Sequence, residues 1–379
     1  MSIFIVSKIS IRFGHMRYVK ENRERRKRTS YLPWRSAEVC ENIKEELGKP
    51  YTQVIPKSTV KRISETNPIQ HSLSDIGKFY TISEEHKKKY FQLNGFPKDF
   101  SEQTTIFNEN AIMIRKPALE IIEYLKNADY TKLPIKYVIS MHLHKYGRKE
   151  ANISETRNGL VDLPLEGALL LKHFQLQNET LLNKLNLKTT KEYVWNQRES
   201  TKVGEPLMAL VNHGLNRVRY SCDCIHGLIN ELKNAAINGQ IKFLVAIGGF
   251  NSFYAGKTMI RMDEKYGTTT DQISIFQSFL STLQNDWCNG AIIMTVCEST
   301  TLPKYRGSPL PFFLLRREGF ETLDPFIPIQ VSKLSELEFH SLLDYYEDRR
   351  WLQKIGARDE LEFISCRIPA ELSRYCATL

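Results

Sequence analysis

An α/β protein wound around a parallel sheet is what this 379-residue chain predicts, on three observations. Ile241–Gly249 reads IKFLVAIGG, an apolar run closed by a glycine pair. It is too short to span a bilayer and fits a strand buried on both faces, as at the centre of a parallel sheet. Ile135–Met141 and Ala291–Cys297 are further short apolar runs, and long helical patterns separate all of them. Strands that alternate with helices need crossover connections, hence parallel pairing with helices on both faces.

The bulk composition agrees. Hydrophobic residues at 41% and charged residues at 25% are ordinary for a globular protein, and no run is long enough for a transmembrane helix. Seven cysteines without regular spacing point to a reducing compartment rather than a disulfide framework.

The net charge of +10 is concentrated at the N-terminus, where residues 1–62 hold 15 Lys and Arg against 6 Asp and Glu. The first twenty residues carry Lys8, Arg12, Arg17 and Lys20, no acid, and interleaved apolar side chains. That is the character of a mitochondrial presequence rather than a secretory signal, the alternative being a disordered tail. The densest charge run follows at Arg23-Glu24-Arg25-Arg26-Lys27-Arg28. Its plain reading is a solvated tail or part of the targeting segment. Its functional reading is phosphate neutralisation on RNA, with Tyr31 and Trp34 near enough to stack on bases. Arg23, Arg25, Arg26, Lys27 and Arg28 are therefore the RNA-contact candidates. Residues 49–75, rich in Pro, Ser, Thr and Asn, read as an extended linker, so residues 1–75 form a targeting segment, basic arm and linker.

From His71 the pattern turns globular. Lys116-Pro117-Ala118 opens a helix through Leu119, Ile122 and Leu125, and the strand Ile135–Met141 follows. His142–Gly159 has no clear periodicity, and Leu165–Leu185 is helical again. Within Glu205–Asn234, Val211, Leu215, Val218, Cys222, Ile225, Ile229 and Leu232 form one apolar stripe, which predicts a single long helix. Asp271–Gln284 is a further helix, and Phe326–Val331 a fourth strand. Ser335 with Glu338 is a capping box ahead of a helix through Leu342, Leu343 and Tyr346, and Pro369 starts a last one. The core is thus expected over 76–332 and a C-terminal helical lid over 333–379.

Candidate chemistry is thin. Gly256-Lys257-Thr258 looks like the tail of a phosphate-binding loop, but the first glycine of that signature would fall at position 251, which is Asn251. Phe253 and Tyr254 are bulky where such a loop must be tight, and no helix pattern follows to face the anion. Cys222, Cys224 and His226 resemble metal ligands in one dimension. On a helix, 222 and 226 share a face while 224 points elsewhere, so buried core cysteines are the better account. His142 and His144 lack an acidic or thiol partner at useful spacing and read as surface residues. No catalytic, cofactor-binding or metal-binding residue is assigned, and the chain reads as a non-enzyme.

Several blocks carry a family resemblance. Lys78-Phe79-Tyr80-Thr81, Ile114–Glu120 (IRKPALE) and Tyr193–Thr201 (YVWNQREST) come first. Asn285-Asp286-Trp287 with Gly290-Ala291-Ile292, Glu318–Pro328 (EGFETLDPFIP) and Trp351-Leu352-Gln353 follow. Together they resemble, in order from about residue 78 to the C-terminus, the death-associated protein three family of mitochondrial small-subunit ribosomal proteins. The resemblance implies a P-loop NTPase core of the AAA-like type in the mitochondrial matrix. It also implies contacts with mitochondrial ribosomal RNA, small-subunit proteins and the large subunit, a bound GTP with Mg²⁺, and a link to apoptosis.

Two departures bear on the nucleotide. The family's glycine-rich loop follows the strand matched by Ile135–Ile139, but Ser140-Met141-His142 follow it in this chain. On the order of thirty residues, about one crossover unit, are absent. The gap is either a divergence or splice form, or a gene-model error; the intact pattern downstream favours the error. Where the family strand ends in a metal-holding Asp, this chain has Gly248, which has no side chain to ligate with. No cofactor is therefore expected. The expectation is a structural ribosomal component, with a GTP-binding switch or NTPase of the same family, having a role in apoptosis, as the alternative.

Overall fold

Five parallel strands form the central sheet in a computed structural model of the chain. They are β1 (Ser2–Ser7), β2 (Ile135–Met141), β3 (Lys242–Ile247), β4 (Gly290–Cys297) and β5 (Ile327–Val331), side by side in the order β1-β3-β4-β2-β5. The structure describes residues 2–7, 59–91, 96, 98–141, 155–157, 159–254, 257–261, 267–297, 308, 310–352 and 358–376. All of these except Thr59 belong to one unit, residues 1–13 and 60–379. Four of the strands are those expected from the apolar runs. The fifth, β1, pairs Ser2 with Lys242 through Ser7 with Ile247. The sequence reading assigns these residues to a targeting segment, but SIFIVS is also β-branched and apolar enough to form a strand.

Register follows from the apolar alternation. Phe243 lies opposite Gly290, Ala291 opposite Ile135, and Ile327 opposite Tyr137. Pro328, which cannot donate to a ladder, sits on edge strand β5, where that is tolerated. The two faces of the sheet differ. Phe243, Val245 and Ile247 with Ile292, Met294 and Val296 are buried in the main core. Tyr137, Ile139, Ala291 and Ile329 face a smaller cluster, closed by Ile121 and Leu125 of α1 (Lys116–Asn127). Leu244 and Ala246 are consequently half-buried. The expectation that β3 is fully buried on both faces is corrected, because the second face has less helix over it.

The main face is covered by α2 (Pro164–Leu185), α3 (Leu207–Asn216), α4 (Ser221–Ile237) and α5 (Ser274–Leu280), with α6 (Pro311–Leu323) contributing Leu314, Leu315 and Leu323. Here the single long helix expected over 205–234 is corrected to two. Arg217 leaves the helix at φ −119°, ψ 74°, and a short 3₁₀ turn, Val218–Tyr220, separates the two. The helices then pack closely, since a Cβ on Gly214 would lie 2.9 Å from that of Cys224 and 2.4 Å from Leu171 Cδ1. Both limbs turn apolar residues into the same core, so the stripe runs through the bend without a break. No Gly or Pro marks the turn.

The C-terminal helices α7 (Glu336–Asp348), α8 (Arg358–Ser365) and α9 (Pro369–Cys376) build a separate apolar cluster. The expected capping box is present: Ser335 Oγ accepts the Glu338 N–H at 3.2 Å and Glu338 Oε2 accepts the Ser335 N–H at 2.9 Å. This cluster also takes in Phe79, Phe107 and Ala111, with Phe79 stacked on Tyr345 at 4.4 Å between centroids. Arg115 ties the same regions together, donating to the Ser332 carbonyl at 2.9 Å and pairing with Glu338. The tail therefore shares its interior with residues 79–111, across the division expected at 332. Among the described residues no helix is long and apolar enough to cross a membrane.

The start of β4 admits no side chain. A Cβ on Gly290 would meet Trp287 Cζ3 at 2.1 Å and the Phe243 carbonyl oxygen at 2.4 Å. Gly290→Ala is expected to cost about 2–3 kcal/mol by overpacking, seen as a lower urea midpoint with native sedimentation retained. An unchanged midpoint would mean that β4 can shift away from Trp287.

Candidate functional site

Open parallel sheets take ligands where successive crossovers diverge, outside the carboxyl ends of the strands. In this sheet the chain runs from β2 towards the β1 edge to reach β3, and from β4 past β2 towards the opposite edge to reach β5. The divergence point is the carboxyl end of β2. Residues 142–154, which follow it, lie outside the described residues, and so do His142 and His144.

The end of β3 is well defined. Gly249, at φ +68°, donates its N–H to Thr295 Oγ1 at 3.0 Å, which fastens the turn to neighbouring β4. At Gly248 an added Cβ would meet only Thr295 Oγ1, at 3.9 Å. Packing leaves room for a side chain there, yet the chain supplies none. The residues after the glycine pair turn inward as a 3₁₀ helix, Phe250–Tyr254. Phe250 and Phe253 are buried, and Phe253 lies against Phe276 at 4.4 Å. Lys257–Arg261 then forms a strand antiparallel to Gly267–Thr269, so Lys257 and Thr258 open a hairpin rather than a helix. The described residues at this end of the sheet do not fit the GTP and Mg²⁺ that the family resemblance implies. They provide neither a metal-holding carboxylate after β3 nor an anion-facing helix after Thr258.

The CDCIH segment forms the first turns of α4. Cys222 and Cys224 are both buried, Cys224 against α3, while His226 is exposed with Nδ1 3.5 Å from Ser278 Oγ. Burial pushes the Cys222 thiol up to about 11. Among the described residues no group of His, Cys, Asp or Glu is arranged to hold a metal.

A different constellation emerges between Leu187 and Tyr220. Glu231, buried within α4, binds the Thr190 N–H through both oxygens at 3.0 Å, the Thr190 hydroxyl at 2.9 Å and the Tyr193 hydroxyl at 2.9 Å. Burial first, then the bond to Glu231, raises the Tyr193 phenol well above its usual range. This clamp fixes the hairpin Tyr193–Val194/Ser200–Thr201. Trp195 Nε1 donates to Thr201 Oγ1 at 3.0 Å, and the Trp195 ring stacks on His213 at 4.8 Å. Burial lowers the proton affinity of His213. At the hairpin tip, Asn196 Oδ1 accepts the N–H groups of Arg198 at 2.8 Å and Glu199 at 2.9 Å. Arg217 reaches Glu199 Oε1 through Nε at 3.1 Å and Nη2 at 2.8 Å. Both bonds hold the Glu199 carboxyl low, with Asn196 adding to the effect.

The RNA-contact candidates Arg23, Arg25, Arg26, Lys27 and Arg28 lie outside the described residues. The arginines at 198, 217 and 219 escaped the sequence reading because they are scattered singly, with no charge run to flag them. The one available signal was the YVWNQREST block, read for its family likeness and not for its charge.

The family described as "Mitochondrial ribosomal death-associated protein 3" matches residues 140–375. The small ribosomal subunit protein mS29 of Bos taurus is 34% identical over 355 residues, covering 84% of this chain and 88% of the relative. Its Mus musculus counterpart is 32% identical over 356 residues, covering 85% and 90%.

The Glu231 clamp is testable. Glu231→Ala removes the shared acceptor of the exposed Thr190 N–H and hydroxyl and of the half-buried Tyr193 hydroxyl, and is expected to cost about 1–2 kcal/mol. Faster proteolytic cleavage within residues 187–206 should accompany the loss. A cleavage rate equal to the parent's would show that the hairpin is held by other contacts.

Proposed function

Since the chain belongs to the mitochondrial ribosomal death-associated protein 3 family, we propose that it is a structural component of the small subunit of the mitochondrial ribosome. It supports mitochondrial translation by contacting ribosomal RNA and neighbouring ribosomal proteins. The observation that carries this reading is the extent of the likeness, which takes in β3, β4 and β5, the helical layer and the C-terminal helices, and in the bovine relative 84% of this chain. Within it, we read the sheet and its helices as a degenerate P-loop NTPase-like, AAA-like core and α7–α9 as a helical lid. The basic arm is read as lying on RNA through Arg23, Arg25, Arg26, Lys27 and Arg28, and a further face as meeting the large subunit. A role in apoptosis accords with the family's name.

The role is non-enzymatic on this reading. It is supported by the glycine at 248, which has no side chain to hold a metal, and by the inward fold of Phe250–Tyr254.

In a sucrose gradient of mitochondrial lysate the protein is expected to travel with the small subunit; migration with free protein alone would end the ribosomal reading. Purified protein should show no saturable micromolar binding of labelled GTP with Mg²⁺, and such binding would instead support the switch. Neutralising the arm with R25Q/R26Q/R28Q should flatten the salt dependence of RNA affinity by a slope of about 2. An unchanged slope would take RNA contact away from those three residues.

A further inference from the structure

A shallow concavity of about 390 Å³ opens where the Asn196–Glu199 turn meets the bend between α3 and α4. Arg198, Arg217 and Arg219 line it beside Tyr220, and Glu199 is the one acid among the lining residues. Among the lining residues three guanidiniums stand with one carboxylate. Arg217 is held by Glu199 and still has 60% of its side chain exposed, while Arg198 and Arg219 are exposed on the same rim.

The site is built rather than incidental. The turn carrying Arg198 is closed by Asn196, whose Nδ2 also donates to Glu199 Oε2 at 2.8 Å. The bend carrying Arg217 and Arg219 is closed by the Arg217 N–H on the His213 carbonyl and the Tyr220 N–H on the Arg217 carbonyl, both at 2.8 Å. Behind both, the Glu231 clamp immobilises the hairpin. With these backbones already fixed, a ligand has to order only the arginine side chains. Half-buried rings continue the surface: His213 lies 4.8 Å from Trp195 and 5.9 Å from Tyr220.

We infer that this face binds the phosphodiester backbone of RNA, Arg198 and Arg219 reaching phosphate oxygens and Tyr220 lying beside a base. The guanidinium fork matches phosphate geometry, and an adjoining aromatic face suits an unstacked base. An acidic peptide would satisfy the arginines but would make no use of the rings. The inference deepens the ribosomal reading and rests on it. It concerns the folded unit and is separate from the N-terminal arm.

The test uses the full chain and a fluorescein-labelled single-stranded RNA titrated at several salt concentrations. R198Q/R219Q is expected to flatten the log–log salt slope by about 1.4 and to weaken binding about tenfold. R198K/R219K should restore most of the slope. If the double variant does not fold, R198Q and R219Q singly carry the test, each expected to take about half of the slope change. An unchanged slope in a variant that melts like the parent, while the parent still co-sediments with the small subunit, overturns this inference alone. Labelled polyglutamate bound more tightly than RNA, and released by the same substitutions, also overturns it. Loss of parental co-sedimentation strikes the ribosomal reading instead.

Discussion

The sheet depends on how β4 begins. Trp287 is buried directly over Gly290, with its Nε1 donating to the Thr282 carbonyl at 2.9 Å, and only a glycine leaves space beneath the ring. The preceding Asn289 takes a left-handed turn at φ +58° and joins three elements at once. Its N–H donates to the Tyr130 carbonyl at 2.7 Å, its side chain to the Ala236 carbonyl at 3.0 Å, and its own carbonyl accepts the Phe243 N–H at 3.0 Å. The approach to β2, the end of α4 and the start of β3 are thus fixed to one residue. With β4 between β3 and β2, that junction aligns the register of the three inner strands. Lys233, almost fully buried, reinforces it by reaching Asp286 at 2.7 Å and the Ser281 carbonyl at 3.2 Å.

A scaffold ordered this way can retain its shape while its ligand-binding end changes use. Phe250 and Phe253 follow β3 at the position where a parallel sheet would ordinarily present a ligand loop, and they are spent on the core instead. Thr295, beside them, serves as an acceptor for the Gly249 backbone. The exposed arginines lie elsewhere, on the hairpin that Glu231 holds and on the bend beside it. That division suits a protein whose role is to be a fixed part of a larger particle: rigid packing in the sheet and adaptable charge at the rim.

Periodicity reported α4 and the strands well because burial on one side repeats along the chain. The same signal could not see the bend at Arg217, since two successive helices facing one core preserve a stripe as faithfully as a single straight helix does. Nor could it separate the burial of Cys224 from that of Cys222: α4 is covered by α3 as well as by the sheet, so more than one of its faces is interior. The strand Ser2–Ser7 was hidden for another reason. Its basic, apolar surroundings satisfy a targeting pattern, and only pairing with β3 makes it a strand.

By itself, then, the sequence determined the parallel α/β class, the positions of four strands, the capped helices and the family, because each is written in local periodicity or in contiguous residues. It also determined that Gly248 cannot hold a metal, which follows from the lack of a side chain. Only the tertiary structure decided the strand order, the grouping of residues 79–111 with the C-terminal helices, and the meeting of Arg198 with Arg217 and Arg219. These depend on contacts between residues far apart in the chain. Burial of Glu231 is of the same kind: a carboxylate in a helix reads as solvent-facing until the hairpin that covers it is in place.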